Sequence, residues 1–267
     1  MGRAIEAHDI AATLRGLGVR SDDTLWVHAG LQTALHMAGA TAADKVDTVL
    51  SGLDESVPDG VLMLPTFTYS YTRGEEFDAS SSPSTVGVLG ERFRRRPGVR
   101  RTIDPIFSAA VRGALPPEWE HRLFTIGDTD CFGERSVFAY LRAVDAKLLF
   151  IGIGFAYCTF VYHVEQRLAV PYRYFKDFPG AIHADRTRVR TTARYFVRDL
   201  EADVENFFDP LEDALLGSGA ARRATLAGGP SLLVASAHAI EAEAVRRVRA
   251  DPDYLLRRGH RATAEIG

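Results

Sequence analysis

The chain is short of lysine, with only Lys45, Lys147 and Lys176, and nearly without cysteine, with Cys131 and Cys158 alone. Two cysteines in 267 residues cannot build a disulfide framework, so a reducing compartment, the cytoplasm, is expected. No apolar run approaches the roughly 18 residues that cross a bilayer. The start, Met1 to Arg15, carries Glu6, His8 and Asp9 and lacks the apolar stretch of a signal peptide, so no membrane partner is expected. An excess charge of one sign is missing too: 32 basic and 35 acidic residues leave a net charge of -3, which gives no drive towards nucleic acid. No phosphate loop of the Gly-Lys-Ser type and no Cys or His pair at zinc spacing occurs, so neither a metal nor nucleotide hydrolysis is expected. No internal repeat and no low-complexity linker divides the sequence, which reads as a single domain over residues 1–267.

What is present is an ordinary globular composition, 46% hydrophobic and 25% charged, in which helix and strand patterns alternate. Thr24 to His28, Val61 to Pro65, Ile106 to Val111 and Lys147 to Ile153 read as buried strands. Helices are expected from Asp9 to Leu17, Ala42 to Leu53, Thr85 to Arg96, Thr159 to Ala169, Asp199 to Leu215 and His238 to Arg249. Thr187 to Val197 alternates polar and apolar residues as a half-exposed antiparallel strand does, and Ser231 to Ala235 adds another strand. The order predicts an α/β fold: a mostly parallel central sheet flanked by helices, with an antiparallel extension in the C-terminal third.

Three local patterns bear on chemistry. Gly152-Ile-Gly154-Phe-Ala-Tyr157 begins like a dinucleotide fingerprint, but Tyr157 stands at the third glycine, so only the anion-friendly start of the helix after it is kept. Six arginines crowd residues 92 to 101, either as the solvated end of a helix or as a fork for coenzyme phosphates. Cys158, directly before a helix start with His163 nearby, has the surroundings of a thiolate nucleophile, so a cysteine hydrolase stands as a rival reading.

A longer series of motifs resembles the antibiotic N-acetyltransferases, typified by the aminoglycoside 3-N-acetyltransferases. It runs through Leu25-Trp-Val-His28, Gly60 to Thr68, Phe77-Asp78 with Ser82-Pro83-Ser84, Val86 to Leu89, Arg101 to Pro105 with Phe107-Ser108, Gly133-Glu134-Arg-Ser136, Leu149 to Gly154, and Thr159 through Glu165 with Val170 to Arg173. The resemblance spans roughly residues 9 to 180 in collinear order. It implies transfer of an acyl group from a coenzyme A thioester, acetyl-CoA above all, to an amine, assisted by a general base that is commonly a histidine backed by a carboxylate. Chemically the base is needed because a protonated amine has no lone pair with which to attack. The resemblance further implies a donor site at His28, Ala29, Gly30, Leu31, Thr66, Thr68, Ser108 and Thr159. An acceptor site would be drawn from Tyr69, Asp78, Tyr172, Arg173 and Lys176.

The sequence departs from that family at three positions. Ala29-Gly30 stands where two serines are usual, Asp104 where a histidine often precedes the proline, and Tyr162 where a histidine lies three residues before Glu165. The histidine at hand, His163, is two residues from Glu165 and points away from it on a helix. The expectation is therefore His163 as base with Asp104 orienting it, and Tyr162 and Glu165 as the alternative pair on the shared face. The acceptor is expected to be a small-molecule amine, an amino sugar or related natural product. An acyl carrier protein as donor, a second copy of the chain as partner, and a catalytically altered thioester-binding module remain open readings.

Overall fold

The computed structural model describes residues 3–184, 186–199, 201 and 204–258. In chain order the strands are β1 (Thr24–Ala29), β2 (Val61–Pro65), β3 (Phe77–Asp78), β4 (Arg100–Arg101), β5 (Ala109–Arg112), β6 (Thr129–Asp130), β7 (Lys147–Ile151), β8 (Arg173–Ala184), β9 (Thr187–Arg198), β10 (Val204–Asn206), β11 (Ala221–Thr225), β12 (Ser231–Ser236) and β13 (Leu256–Arg258). The helices are α1 (Ala7–Gly16), α2 (Ala42–Ser56), α3 (Val88–Phe93), α4 (Pro117–Phe124), α5 (Val137–Ala143), α6 (Phe160–Leu168), α7 (Asp209–Gly217) and α8 (Ala237–Ala250).

The main sheet has the order β11-β12-β7-β1-β2-β5-β4. Its centre, β7-β1-β2, is parallel, and the pairings outside it are antiparallel. Five of its seven strands nonetheless point the same way, as the expected α/β class requires. The central strands are apolar without alternation because both faces are covered. Leu25, Val27, Leu62 and Leu64 face α1 and α2, and Trp26 and Met63 face the core on the other side. Helix α2 begins as its sequence dictates, with the Thr41 hydroxyl accepting from the Asp44 amide and the Asp44 carboxylate accepting from the Thr41 amide. The antiparallel extension is the hairpin β8-β9, two strands of twelve residues each, flanked by β3 and β6 in a second sheet. Among the described residues no helix is long and apolar enough to cross a membrane.

Three element boundaries differ from expectation. The helix expected over Thr85 to Arg96 is only α3, because Gly87 has φ +117, a conformation outside any helix. The strand expected from Ile106 begins at Ala109, since the Asp104 carboxylate accepts from the Ile106 and Phe107 amides and folds 104–107 into a turn. The helix expected from Asp199 starts only at Asp209, where Pro210 occupies the first turn, and the chain before it forms β10.

Candidate active site: two clefts that share Tyr162

The first cleft opens at the C-terminal ends of β1, β2 and β7 and has a volume of about 730 Å³. Strand β1 has parallel neighbours on both sides, so the connections leaving it diverge and a crevice opens above its end, where open α/β sheets bind ligands. The turns that follow these strands are tight. A Cβ on Gly30 would sit 2.9 Å from Ile153, and one on Gly90 would sit 2.3 Å from the Pro65 carbonyl oxygen, so α3 packs directly on β2. His28, Ala29, Gly30 and Thr159, expected in the donor site, line this cleft, and so does Tyr69, expected among the acceptor residues and absent from the second cleft. Leu31 opens a short turn of 3-10 helix, and its side chain lies outside the described residues.

His28 is held as a neutral acceptor. The Trp26 indole N–H donates to its Nε2 at 2.8 Å, its ring stacks on Phe150, and burial depresses its pKa to about 3. Its proton therefore resides on Nδ1. Tyr69 carries φ +53, an uncommon and strained conformation for a bulky residue, and its ring is fixed edge-on against Phe67 and Phe107 on the cleft floor. Burial pushes its phenol up to about 12, so the hydroxyl is neutral.

Thr66, Thr68 and Ser108, expected in the channel, stand behind it. Thr66 donates to the Ser108 carbonyl at 3.1 Å, Ser108 to the Thr66 carbonyl at 2.8 Å and Thr68 to the Pro105 carbonyl at 2.7 Å. The buried Arg101 guanidinium ties this group together through the Thr66 carbonyl and the Ser108 hydroxyl. These side chains hold the ends of β2 and β5 and do not line the cleft.

The second cleft, of about 720 Å³, lies along β8 and β9 near β10. Tyr174, Phe178 and Tyr195 give it aromatic walls, with Arg173, Lys176, Asp199 and Glu201 among its charged lining. Tyr162 lines both clefts, and among the described residues no other side chain does. Its hydroxyl accepts from the Asn206 amide nitrogen at 3.0 Å, and the Arg173 guanidinium lies 4.4 Å over its ring. Arg173 is locked in turn: its Nε is 2.8 Å from a Glu165 carboxylate oxygen, both side chains are buried, and the Tyr172 hydroxyl donates to Glu165 at 2.8 Å. Burial pushes the Tyr162 phenol and the Glu165 carboxyl above their ordinary values, with Arg173 pulling both down.

The expected pairing of His163 with Asp104 is not assembled. His163 is fully buried on the other side of α6, with Nδ1 2.6 Å from the Phe132 carbonyl oxygen, which makes Nδ1 the donor. Burial lowers its pKa, and it lines neither cleft. Asp104 spends its carboxylate on the Ile106 and Phe107 amides, with the Cys131 sulfur 3.8 Å away. Asp78 likewise accepts from Ser80 and Ser81 and is absent from both linings. Tyr172 is buried against Glu165, outside the acceptor positions expected of it, whereas Arg173 and Lys176 do line the second cleft.

The rival cysteine reading is corrected, and the arginine cluster falls to one of its two alternatives. Cys158 is fully buried and its thiol is pushed up to about 12, against the pull of the Phe160 and Val161 amides, so it is no thiolate nucleophile. Of the two readings of the arginine cluster the geometry matches the solvated helix end: five of the six pair with carboxylates, Arg92 with Asp47, Arg94 and Arg95 with Glu91, Arg96 with Asp54 and Arg100 with Glu120, and Arg101 is buried on Thr66 and Ser108. Of the lining residues that the sequence reading passed over, Asn206 lay in a stretch with helical appearance. Tyr195 was legible only as one member of an alternating strand.

Residues 26–247 match the family model described as aminoglycoside 3-N-acetyltransferase. Among curated proteins, aminoglycoside N(3)-acetyltransferase VII of Streptomyces paromomycinus is 27% identical over 206 residues, 67% of this chain and 67% of that protein. The solved structure of aminoglycoside acetyltransferase AAC(3)-Xa superposes with a TM-score of 0.77 at 23% identity, covering 94% of each chain. AAC-IIIb, solved as a binary complex with CoASH, superposes with a TM-score of 0.76 at 22% identity over 93% of this chain and 97% of that one.

Proposed function

Because the chain belongs to the aminoglycoside 3-N-acetyltransferase family and is an acyltransferase, we propose that it moves an acyl group, acetyl in the first place, from a coenzyme A thioester to an amino group of an aminoglycoside-like amino sugar or related natural product. The observation that carries this reading is the pair of clefts with one side chain in common. The donor's thioester arm enters above the ends of β1, β2 and β7, where apolar walls and the neutral His28 suit an uncharged pantetheine chain. The acceptor enters beside the β8-β9 hairpin, and the reacting carbon and nitrogen meet at Tyr162.

The acceptor cleft suits a sugar amine. Tyr174, Phe178 and Tyr195 offer ring faces, and Asp199 and Glu201 offer carboxylates for ammonium groups. Its cations are partly spent, Arg173 on Glu165 and Lys176 over the Phe178 ring at 5.1 Å.

A second donor is favoured by one observation. No lysine or arginine occurs among the described residues lining the first cleft. An arm presented by an acyl carrier protein fits there as well as that of free coenzyme A, because no side-chain cation among the described lining residues selects for the additional phosphates of the coenzyme.

The test is direct. Acetyl-CoA at a hundred times its dissociation constant should add about 2.7 kcal/mol to stability, seen as a raised melting temperature. Thiol release should then require both the donor and an amino sugar. A protein that neither binds coenzyme A esters nor accepts an acylated carrier protein would end this reading.

A further inference from the structure

We propose that Tyr162 is the catalytic acid of the transfer, giving its phenolic proton to the sulfur that leaves the thioester. The proposal rests on the two-cleft reading above and adds to it the group that handles the proton.

Tyr162 stands where a thioester in one cleft and an amine in the other must meet, since among the described residues it alone lines both. Its hydroxyl oxygen accepts from Asn206 at 3.0 Å, which leaves the phenolic hydrogen free to donate. Burial disfavours negative charge on that oxygen, and two groups oppose it: an amide N–H points at it, and the Arg173 guanidinium lies 4.4 Å over the ring, 2.8 Å from Glu165. A phenol so placed holds its proton at rest, and the charge it acquires on losing it is met in part by groups already in position. The histidine nearest in sequence, His163, is fully buried and faces the Phe132 carbonyl.

The step balances. The acceptor enters the step as its neutral amine, its ammonium proton already lost to solvent; the nitrogen forms its bond to the acyl carbon as the carbon–sulfur bond breaks, and the electron pair of that bond goes to sulfur. The Tyr162 proton passes to the sulfur, giving the free thiol, and the phenolate takes up the proton shed by the newly acylated nitrogen. Amide and thiol are the products, and Tyr162 ends as it began. Arg173 and Asn206 act as positioning residues, through Tyr162.

The test compares two acetyl donors with sisomicin as the amine. Acetyl-CoA has a leaving thiol that needs a proton; the S-acetyl ester of 4-nitrothiophenol has a leaving group made acidic by its nitro group, which departs without one. Tyr162→Phe should lower kcat/KM with acetyl-CoA by roughly 10²-fold or more, and by much less with the aryl ester. Calorimetry should find its binding of acetyl-CoA unchanged. His163→Asn, which keeps a donor for the Phe132 carbonyl, should retain the parent rate with both donors. An equal loss with both donors, or a Tyr162→Phe enzyme as fast as the parent, overturns the proposal. A parent enzyme that binds acetyl-CoA but transfers to no amine from either donor overturns the two-cleft reading itself and the proposal with it, which is a separable result because Tyr162→Phe then has no rate to lose.

Discussion

Replacing Arg173 by methionine would strand a carboxylate in the interior. Glu165 is fully buried, and its partners are the Arg173 guanidinium at 2.8 Å and the Tyr172 hydroxyl at 2.8 Å. Removing one member of a buried ion pair costs about 3–5 kcal/mol, because the other keeps its desolvation penalty without its counter-charge. For a protein of this size each kcal/mol moves the melting temperature by roughly 2–4 °C, so Arg173→Met should melt roughly 6–20 °C below the parent at pH 8. The sign of the pH dependence follows from Glu165. Burial already holds its folded-state pKa above the ordinary carboxylate value, with Arg173 opposing that rise, so losing Arg173 raises it further. A carboxyl with a raised folded pKa binds more protons folded than unfolded, and stability then falls as pH rises through the window between the two values. The gap between variant and parent should therefore be wide at pH 8 and narrow towards pH 5. Differential scanning calorimetry across that range is the assay. The double variant Glu165→Gln with Arg173→Met should recover much of the loss, since an apolar or neutral replacement of both members avoids the orphaned charge. A single variant that melts within about 2 °C of the parent at pH 8, or a gap that does not change with pH, would refute the account of this pair.

Other outcomes are expected from the same geometry. Cys158→Ala should retain most of the turnover, measured as thiol release, because a buried thiol with its pKa near 12 contributes no nucleophile. Gly90→Ala should weaken acetyl-CoA binding and lower stability by about 1–3 kcal/mol, as an added methyl 2.3 Å from the Pro65 carbonyl oxygen pushes α3 away from β2; calorimetry reads both effects. The pH profile of kcat/KM should have no limb belonging to His28 between pH 5 and 9, because its folded-state pKa lies near 3; comparing the parent with His28→Gln over that range checks it.

The frame of the fold was written in plain patterns. Thr24 to His28 and Val61 to Pro65 are apolar throughout because both faces of β1 and β2 are covered, and Val46, Val49, Leu50 and Leu53 share the buried side of α2. The hairpin was only half legible. Strand β9 alternates visibly, but β8 contains Pro179 and Gly180, which argue against a strand, and only the structure reveals why: Gly180 packs under the Tyr71 ring, where a Cβ would lie 2.5 Å from it. At the site, helical spacing correctly set Tyr162 and Glu165 on one face and turned His163 away. The choice of His163 as base then failed because a favourable pKa in solution says nothing about which side of a helix meets a cleft. Asp104 failed for a local reason that was in the sequence: an aspartate with free amides two and three residues on tends to fold back onto them. The partner that Glu165 chose, Arg173, sits across a chain reversal that no periodicity encodes.

The shared wall between the two clefts also governs kinetic order. On the proposed reading, a donor and an acceptor that reach one phenol from different sides must be aboard together, since Tyr162 is the one described side chain common to both clefts and Lys176 lines only the second. Initial-velocity lines for the two substrates should therefore converge instead of running parallel, and either half-reaction in isolation should be silent. Hydrolytic waste of the donor is then limited by occupancy: with the sugar's side empty, water alone faces the thioester, and a filled acceptor cleft excludes it.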